Sequence, residues 1–293
     1  MPAAQREYSD RLFSYIFGSE ENKAWTLSLY NAVNGTNYTD PEAIRFNTIR
    51  QVLYLGMHND TSFLVASEMN MYEQQSTYNP NMPVRMLQYA GNLYEKYFQE
   101  NHLNKFGKKL LPLPVPKLVV FYNGEDHQEE ELVLHLSSSF PPGADPDIMV
   151  RVRMLNINYG QSEEILSACR PLREYAWLIR EIRNNRKSMD IEEAVNRALN
   201  GMPEEYEIKP FLEAHRAEVF GMLLTEYNEA EAMQLFREDG IEEGLEKGLE
   251  KGHKEGREEE HQCILENVTR NLMAKDPALT VEEARKQARA LMA

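Results

Sequence analysis

This 293-residue chain predicts an α/β fold followed by a helical C-terminal region. Three observations carry that prediction. Up to Ile157, stretches with helical spacing of apolar residues alternate with short β-branched or apolar runs. From Ser162 onward only the helical spacing remains. A hydrophobic content of 42%, with 10% aromatic residues, supplies material for a core. The expected division is residues 1–161 as an α/β core, 162–239 as a helical region and 240–293 as a glycine-repeat helical tail.

Tyr8 to Val33 has helix periodicity through Leu12, Phe13, Ile16, Phe17, Trp25, Leu27, Leu29, Tyr30 and Val33. Ser19 is placed to cap a second helix, since Glu20 and Glu21 suit its first turn, and Asn34-Gly35 ends it. Thr48 to Gly56 reads as a strand. Pro83 opens a helix over Val84 to Gln99. Lys105 to Lys117 is a proline-rich connection with a short basic run, read as a solvated linker. Leu118 to Tyr122 is a continuous apolar run, as in a buried strand, closed by Asn123-Gly124. Glu131 to Leu136 and Ile148 to Ile157 are further strands. Helices are expected over Glu163 to Arg186, Ile191 to Leu199, Lys209 to Tyr227 and Glu229 to Phe236. Val281 to Met292 is a last helix, with Thr280 and Glu283 spaced as a capping box.

The chemistry concentrates between Asn59 and Gln75. Two extended segments joined by a polar turn would form a hairpin with Asp60 at its mouth and Glu73 and Gln75 on the second segment. Side chains two apart on a strand share a face, so Glu73 and Gln75 project together. Asp60 returning to the level of Glu73 would add a second carboxylate. Two carboxylates and an amide oxygen form a hard-oxygen cage suited to Mg²⁺, which can activate water and stabilise charge on a phosphate. A polar hairpin without catalytic use fits the same spacing. In metal nucleases of this kind a strand-borne Glu-x-Lys is common; here Gln75 holds the lysine position and cannot carry charge or a proton. No lysine lies between Lys23 and Lys96.

Arg85 and Tyr89 are four apart on the following helix and share a face, so Arg85 can stand near a phosphate or against Gln75. A surface arginine beside a core tyrosine is the plainer alternative. His58 adjoins the cage as a bystander or a base. Glu20, Glu21 and Asp10 are read first as helix acids, and Asp145 and Asp147 as an acidic turn.

The formal net charge is -15, and 22 of the 47 acids lie after residue 200 against 12 of the 32 Lys+Arg. Residues 1–121 balance at 11 of each. This balance argues against broad, salt-driven binding to nucleic acid and leaves room for contact with a few phosphates. No apolar run suits a membrane span, and the first residues lack a signal-peptide core, so a cytoplasmic protein is expected. Cys169 and Cys263 have no zinc or disulfide spacing. Gly240, Gly244, Gly248, Gly252 and Gly256 recur every four residues among Glu and Lys. Each glycine costs a helix about 1 kcal/mol relative to alanine, so a weak helix is expected there unless the ridge pairs with a second copy.

Several strings resemble one known family. Asp10-Arg-Leu-Phe, Tyr54-Leu-Gly-Met-His-Asn-Asp, Tyr72-Glu-Gln-Gln-Ser-Thr-Tyr-Asn-Pro-Asn-Met-Pro-Val-Arg85, Phe121-Tyr-Asn-Gly and Leu155-Asn-Ile-Asn-Tyr are similar to the Rpn group. These are bacterial recombination-promoting nucleases of the PD-(D/E)XK transposase type. The similarity covers roughly residues 8–260. It implies a restriction-endonuclease-like mixed sheet flanked by helices and Mg²⁺-dependent DNA cleavage, with Mn²⁺ as a substitute. It also implies Asp60 and Glu73 as metal ligands, Gln75 at the usual lysine position, Asp10 as the N-terminal acid and Arg85 with Tyr89 as the Arg-x-x-x-Tyr helix. The expected partners are DNA and a second copy of the chain, either as an active endonuclease or as a degenerate relative that binds without cutting.

Overall fold

The computed structural model describes residues 11–47, 61–126, 128–276 and 278–292. The chain divides into two units, Met1–Ala230 and Glu231–Ala293. The first is an α/β unit built on a mixed, open six-stranded sheet.

Its strands are β1 (Arg45–Phe46), β2 (Thr61–Val65), β3 (Glu68–Gln75), β4 (Val115–Tyr122), β5 (Glu131–His135) and β6 (Arg151–Asn156), in the order β1-β2-β3-β4-β6-β5. The outer pairs β1/β2, β2/β3 and β5/β6 are antiparallel; β3/β4 and β4/β6 are parallel. The expected hairpin forms, turning at Ala66, whose φ of 51° lies in the left-handed region. The strand read over Thr48 to Gly56 lies outside the described residues.

β4 starts three residues before the expected Leu118. The apolar run hid this, because the added residues include Pro116, which cannot donate to a ladder. Pairing explains how it fits. Val115 N–H bonds Ser67 O at 2.8 Å, and β6 joins β4 only from Val119 opposite Arg153. Pro116 therefore turns its missing donor to the side that β6 has not yet reached.

Apolar packing covers both faces of the sheet. On one, Phe63, Tyr72, Val119, Phe121 and Leu155 join α1 (Arg11–Phe17), α2 (Lys23–Asn34) and α5 (Arg170–Arg186). The same core continues to Leu223, so it takes in residues on both sides of position 162. On the other face, Met69, Met71, Val120, Tyr122 and Met154 pack with Met82, Met86 and Tyr89 of α3 (Met82–Glu100).

Local signals set some helix ends. Ser19 Oγ accepts from Glu21 N–H, capping a 3-10 turn (Glu20–Asn22) ahead of α2 and not α2 itself as expected, and Gly35 closes α2 at φ 62°. The helix expected over 163–186 is instead two, α4 (Glu163–Ala168) and α5, broken at Cys169. Pro171, without an N–H and with its ring against the preceding turn, forces that break. The stretch read as one helix from Lys209 is α7 (Lys209–Ala214) and then α8 (Arg216–Lys275), separated at His215; α6 is Ile191–Asn200.

α8 also corrects the expectation of separate short helices over Lys209 to Tyr227 and Glu229 to Phe236, because it is one helix of 60 residues that continues into the expected helical tail. No proline stands between Pro210 and Pro277 to stop it, and i,i+4 pairs such as Lys251–Glu255 at 3.6 Å offset part of the glycine cost. In the second unit Leu265, Thr269, Ala284 and Ala288 are buried. α9 (Val281–Met292) carries the expected capping box: Glu283 Oε2 accepts from Thr280 N–H at 3.0 Å, and Thr280 Oγ1 accepts from Glu283 N–H at 3.3 Å.

Gly124 is the tightest of these positions. A Cβ there would lie 2.3 Å from Ser76 O and 2.4 Å from the Tyr122 hydroxyl. Gly124→Ala is therefore expected to destabilise the protein by about 1–3 kcal/mol, the range for overpacking, as a lower urea midpoint with an unchanged slope.

Candidate functional site

Alternation along β3 sends Met69, Met71 and Glu73 toward α3, and Gln75 shares their face. Glu73 has 2% of its side chain exposed, at the middle of a sheet whose β3 and β4 pair along all of β3. A carboxylate buried this far requires a partner.

Arg85 supplies it. Arg85 Nη2 donates to Glu73 Oε1 at 2.8 Å and to the Tyr89 hydroxyl at 3.1 Å, while Nη1 lies 3.3 Å from Met82 Sδ. The guanidinium carbon stands 5.9 Å from the Tyr89 ring centre. Arg85 is itself only 13% exposed. The three-and-four spacing of Met82, Arg85 and Tyr89 places them on one stripe of α3, which explains why Arg85 reaches both neighbours while paired with Glu73.

Of the residues the sequence singles out, the structure thus joins Glu73, Arg85 and Tyr89, with Gln75 two positions along the same face and 8% exposed. Asp60, Asp10 and His58 lie outside the described residues. Thr61, the first described residue of β2, pairs with Tyr72, the neighbour of Glu73. Glu20 is paired with Lys23 at 2.9 Å and is 71% exposed, and Glu21 is 66% exposed beside His215, so both are surface acids. Asp145 and Asp147 are likewise exposed. Among the described residues no group of three His, Cys, Asp or Glu side chains is gathered as for a metal. The oxygen donors that are present, a strand carboxylate and a nearby amide, are of the hard type that suits Mg²⁺. Cys169 is not a nucleophile at neutral pH, because burial pushes its thiol up to about 11.

Sequence reasoning missed a second polar group, at the C-terminal ends of the parallel strands. Asn123 N–H donates to Gln75 O at 3.1 Å, and Asn123 Nδ2 donates to the Tyr175 hydroxyl at 3.1 Å. Arg183 of α5 donates to Asn158 Oδ1 at 2.9 Å and to the Asn123 carbonyl, and Asn158 Nδ2 reaches Gly124 O at 2.9 Å. Burial and a neighbouring Asp126 raise the pKa of the Tyr122 hydroxyl, which donates to Asp126 O. The signal was present in Asn123-Gly124 and in Asn156-Ile-Asn158, polar residues placed directly after apolar runs. Two buried charges elsewhere hold helices together. Glu174 accepts from Arg170 and from Ile208 N–H, and Lys209 donates to Met202 O.

Truncating one side of a buried ion pair strands the other. Arg85→Ala is expected to cost about 3–5 kcal/mol in urea unfolding. Arg85→Met combined with Glu73→Gln should recover most of that loss, since neither buried charge is then left alone. No family model matches the chain, and no curated protein or solved structure matches it significantly.

Proposed function

We propose that this chain is a metal-dependent DNA endonuclease with a restriction-endonuclease-like core of the PD-(D/E)XK type. The observation that carries the reading is Glu73, a buried carboxylate on β3 held by Arg85 of the helix that follows, which is itself bonded to Tyr89. The mixed sheet with packed helices on both faces supports it, as does the hairpin that brings the start of β2 to the neighbour of Glu73.

In this reading Asp60 and Glu73 hold Mg²⁺, with Mn²⁺ as a substitute, and the ion activates water and stabilises charge on the phosphodiester. Arg85 engages Glu73 Oε1 and sets the carboxylate's orientation; Tyr89 fixes the guanidinium in turn. Gln75 positions water or adds its amide oxygen, because it has no proton to give. Asp10 is the further acid. The protein works in the cytoplasm in this reading.

A second, non-catalytic reading has one observation in its favour: the glutamate is already paired with Arg85, and Gln75 stands where a lysine would serve the attacking hydroxide. The chain would then bind DNA or protein without cutting. Plasmid nicking by the purified protein in Mg²⁺, and in chelator, separates the two. The expected result is metal-dependent nicking lost in Asp60→Ala and Glu73→Ala; equal cutting by all three, or none by the unaltered protein, ends the enzymatic reading.

We also propose that two copies associate through α8. A Cβ on Gly244, Gly248, Gly252 or Gly256 would meet nothing within 4 Å, and Leu245 and Leu249 beside them are 64% and 58% exposed. Gly248→Leu with Gly252→Leu fits within one chain and removes a glycine cost of about 1 kcal/mol each. Mass photometry should show dimers in the unaltered protein and monomers in this variant. A variant that still dimerises places the interface elsewhere.

A further inference from the structure

α5 carries a row of cations that the sequence reading passed over. Arg173, Arg180 and Lys187 follow at seven-residue steps from the helix to its C-cap, and so stand on one stripe, about 10 Å apart along the axis. The opposite side is buried through Leu172, Tyr175, Leu178, Ile179 and Ile182. Arg173 and Lys187 are exposed, and Arg180 is 38% exposed.

The row adjoins the polar group at the C-terminal ends of the parallel strands, on the sheet face opposite Glu73. Arg183, beside it on the same helix, donates to the Asn123 carbonyl, and Asn123 N–H donates to the carbonyl of Gln75. Arg180 stands over Tyr159, its guanidinium carbon 3.9 Å from the ring centre, just beyond the end of β6. An arginine held over a ring keeps N–H donors whose fork matches a phosphate. Glu181 takes Arg180 Nε and Nη2, leaving the Nη1 side outside those two bonds. Acids near the row include Glu181, Glu125 at 3.8 Å from Arg183, Asp126 beside Tyr122, Asp190 three residues past Lys187, and Glu205 next to Tyr206; Glu174 is turned inward against Arg170.

We propose that this row binds the phosphodiester backbone of DNA and leads the strand along the C-terminal ends of β6 and β4 toward the same end of β3. Charge complementarity selects the occupant. In a chain of net charge -15, residues 170–187 hold six Lys+Arg against two acids, one of them buried. Spaced single cations on a rigid helix suit a regular polyanion, and backbone contact of this kind reads no sequence. The proposal rests on the nuclease reading for its direction, but the binding itself does not depend on cleavage.

The test is fluorescence anisotropy of a labelled DNA duplex with the full chain, between about 50 and 200 mM salt. The unaltered protein should bind alike in Mg²⁺ and in chelator, with affinity falling as salt rises. Arg173→Gln, Arg180→Gln and Lys187→Gln together should weaken binding at every salt concentration and flatten the salt slope by about one unit per cation removed. Arg180→Lys, which keeps the charge, should retain the slope and so controls for folding. The same slope in the triple variant, with its circular dichroism unchanged, overturns the proposal, and so does a failure of the unaltered chain to bind. Binding that survives in a protein that never cuts would instead sink the nuclease reading and leave the row in place.

Discussion

The ion pair between Glu73 and Arg85 is the constraint around which the first unit is arranged. Taking two charges out of water costs several kcal/mol per ion, and attraction offsets this only with good geometry and further hydrogen bonds. Here the geometry comes from both partners being fixed independently. Glu73 is set by the parallel ladder of β3 with β4, and Arg85 by the packing of Met82, Met86 and Tyr89 against that sheet. A strand and a helix are thereby locked at one register, since a one-residue slip in β3 would turn Glu73 to the opposite face.

The two faces of the sheet differ in what they can do. The side covered by α1, α2 and α5 is aromatic, with Phe13, Tyr72, Phe121 and Tyr175 linked through ring contacts of 5–6 Å, and it serves mainly as a core. The α3 side is rich in methionine and tyrosine and contains the buried Glu73–Arg85 pair. Methionine fills irregular space around a guanidinium without competing for its strong donors, which is why a charged pair is tolerated there. Chemistry and packing are thus separated by the thickness of one sheet.

Local signals in the sequence sufficed for features set by neighbouring residues. The hairpin before Gln75, the αL closure at Gly35, the helix behind Pro83 and the Thr280–Glu283 box depend on contacts a few positions apart, and each appears in the structure. The order of strands, the early start of β4 and the tie from Arg183 to Asn123 depend on partners about 40 to 60 residues away, which no local pattern encodes. The breaks at Cys169 and His215 lay inside apolar spacing that continued across them. The continuity of α8 was missed for the opposite reason: glycine cost was summed, but nothing in that stretch terminates a helix. At the candidate site, the spacing gave Glu73, Arg85 and Tyr89 as sharing faces, and only coordinates gave their contact.

The outer strands of the described sheet have a consequence for how the protein behaves at high concentration. Open strand edges invite pairing between molecules, and short or charged edges discourage it. β1 offers only two residues, one of them Arg45, and β5 ends in Glu131 and His135, both exposed, with Glu131 bound to Arg153. Among the described residues neither border presents a long, flat, apolar template, so these two margins disfavour lateral growth of the described sheet.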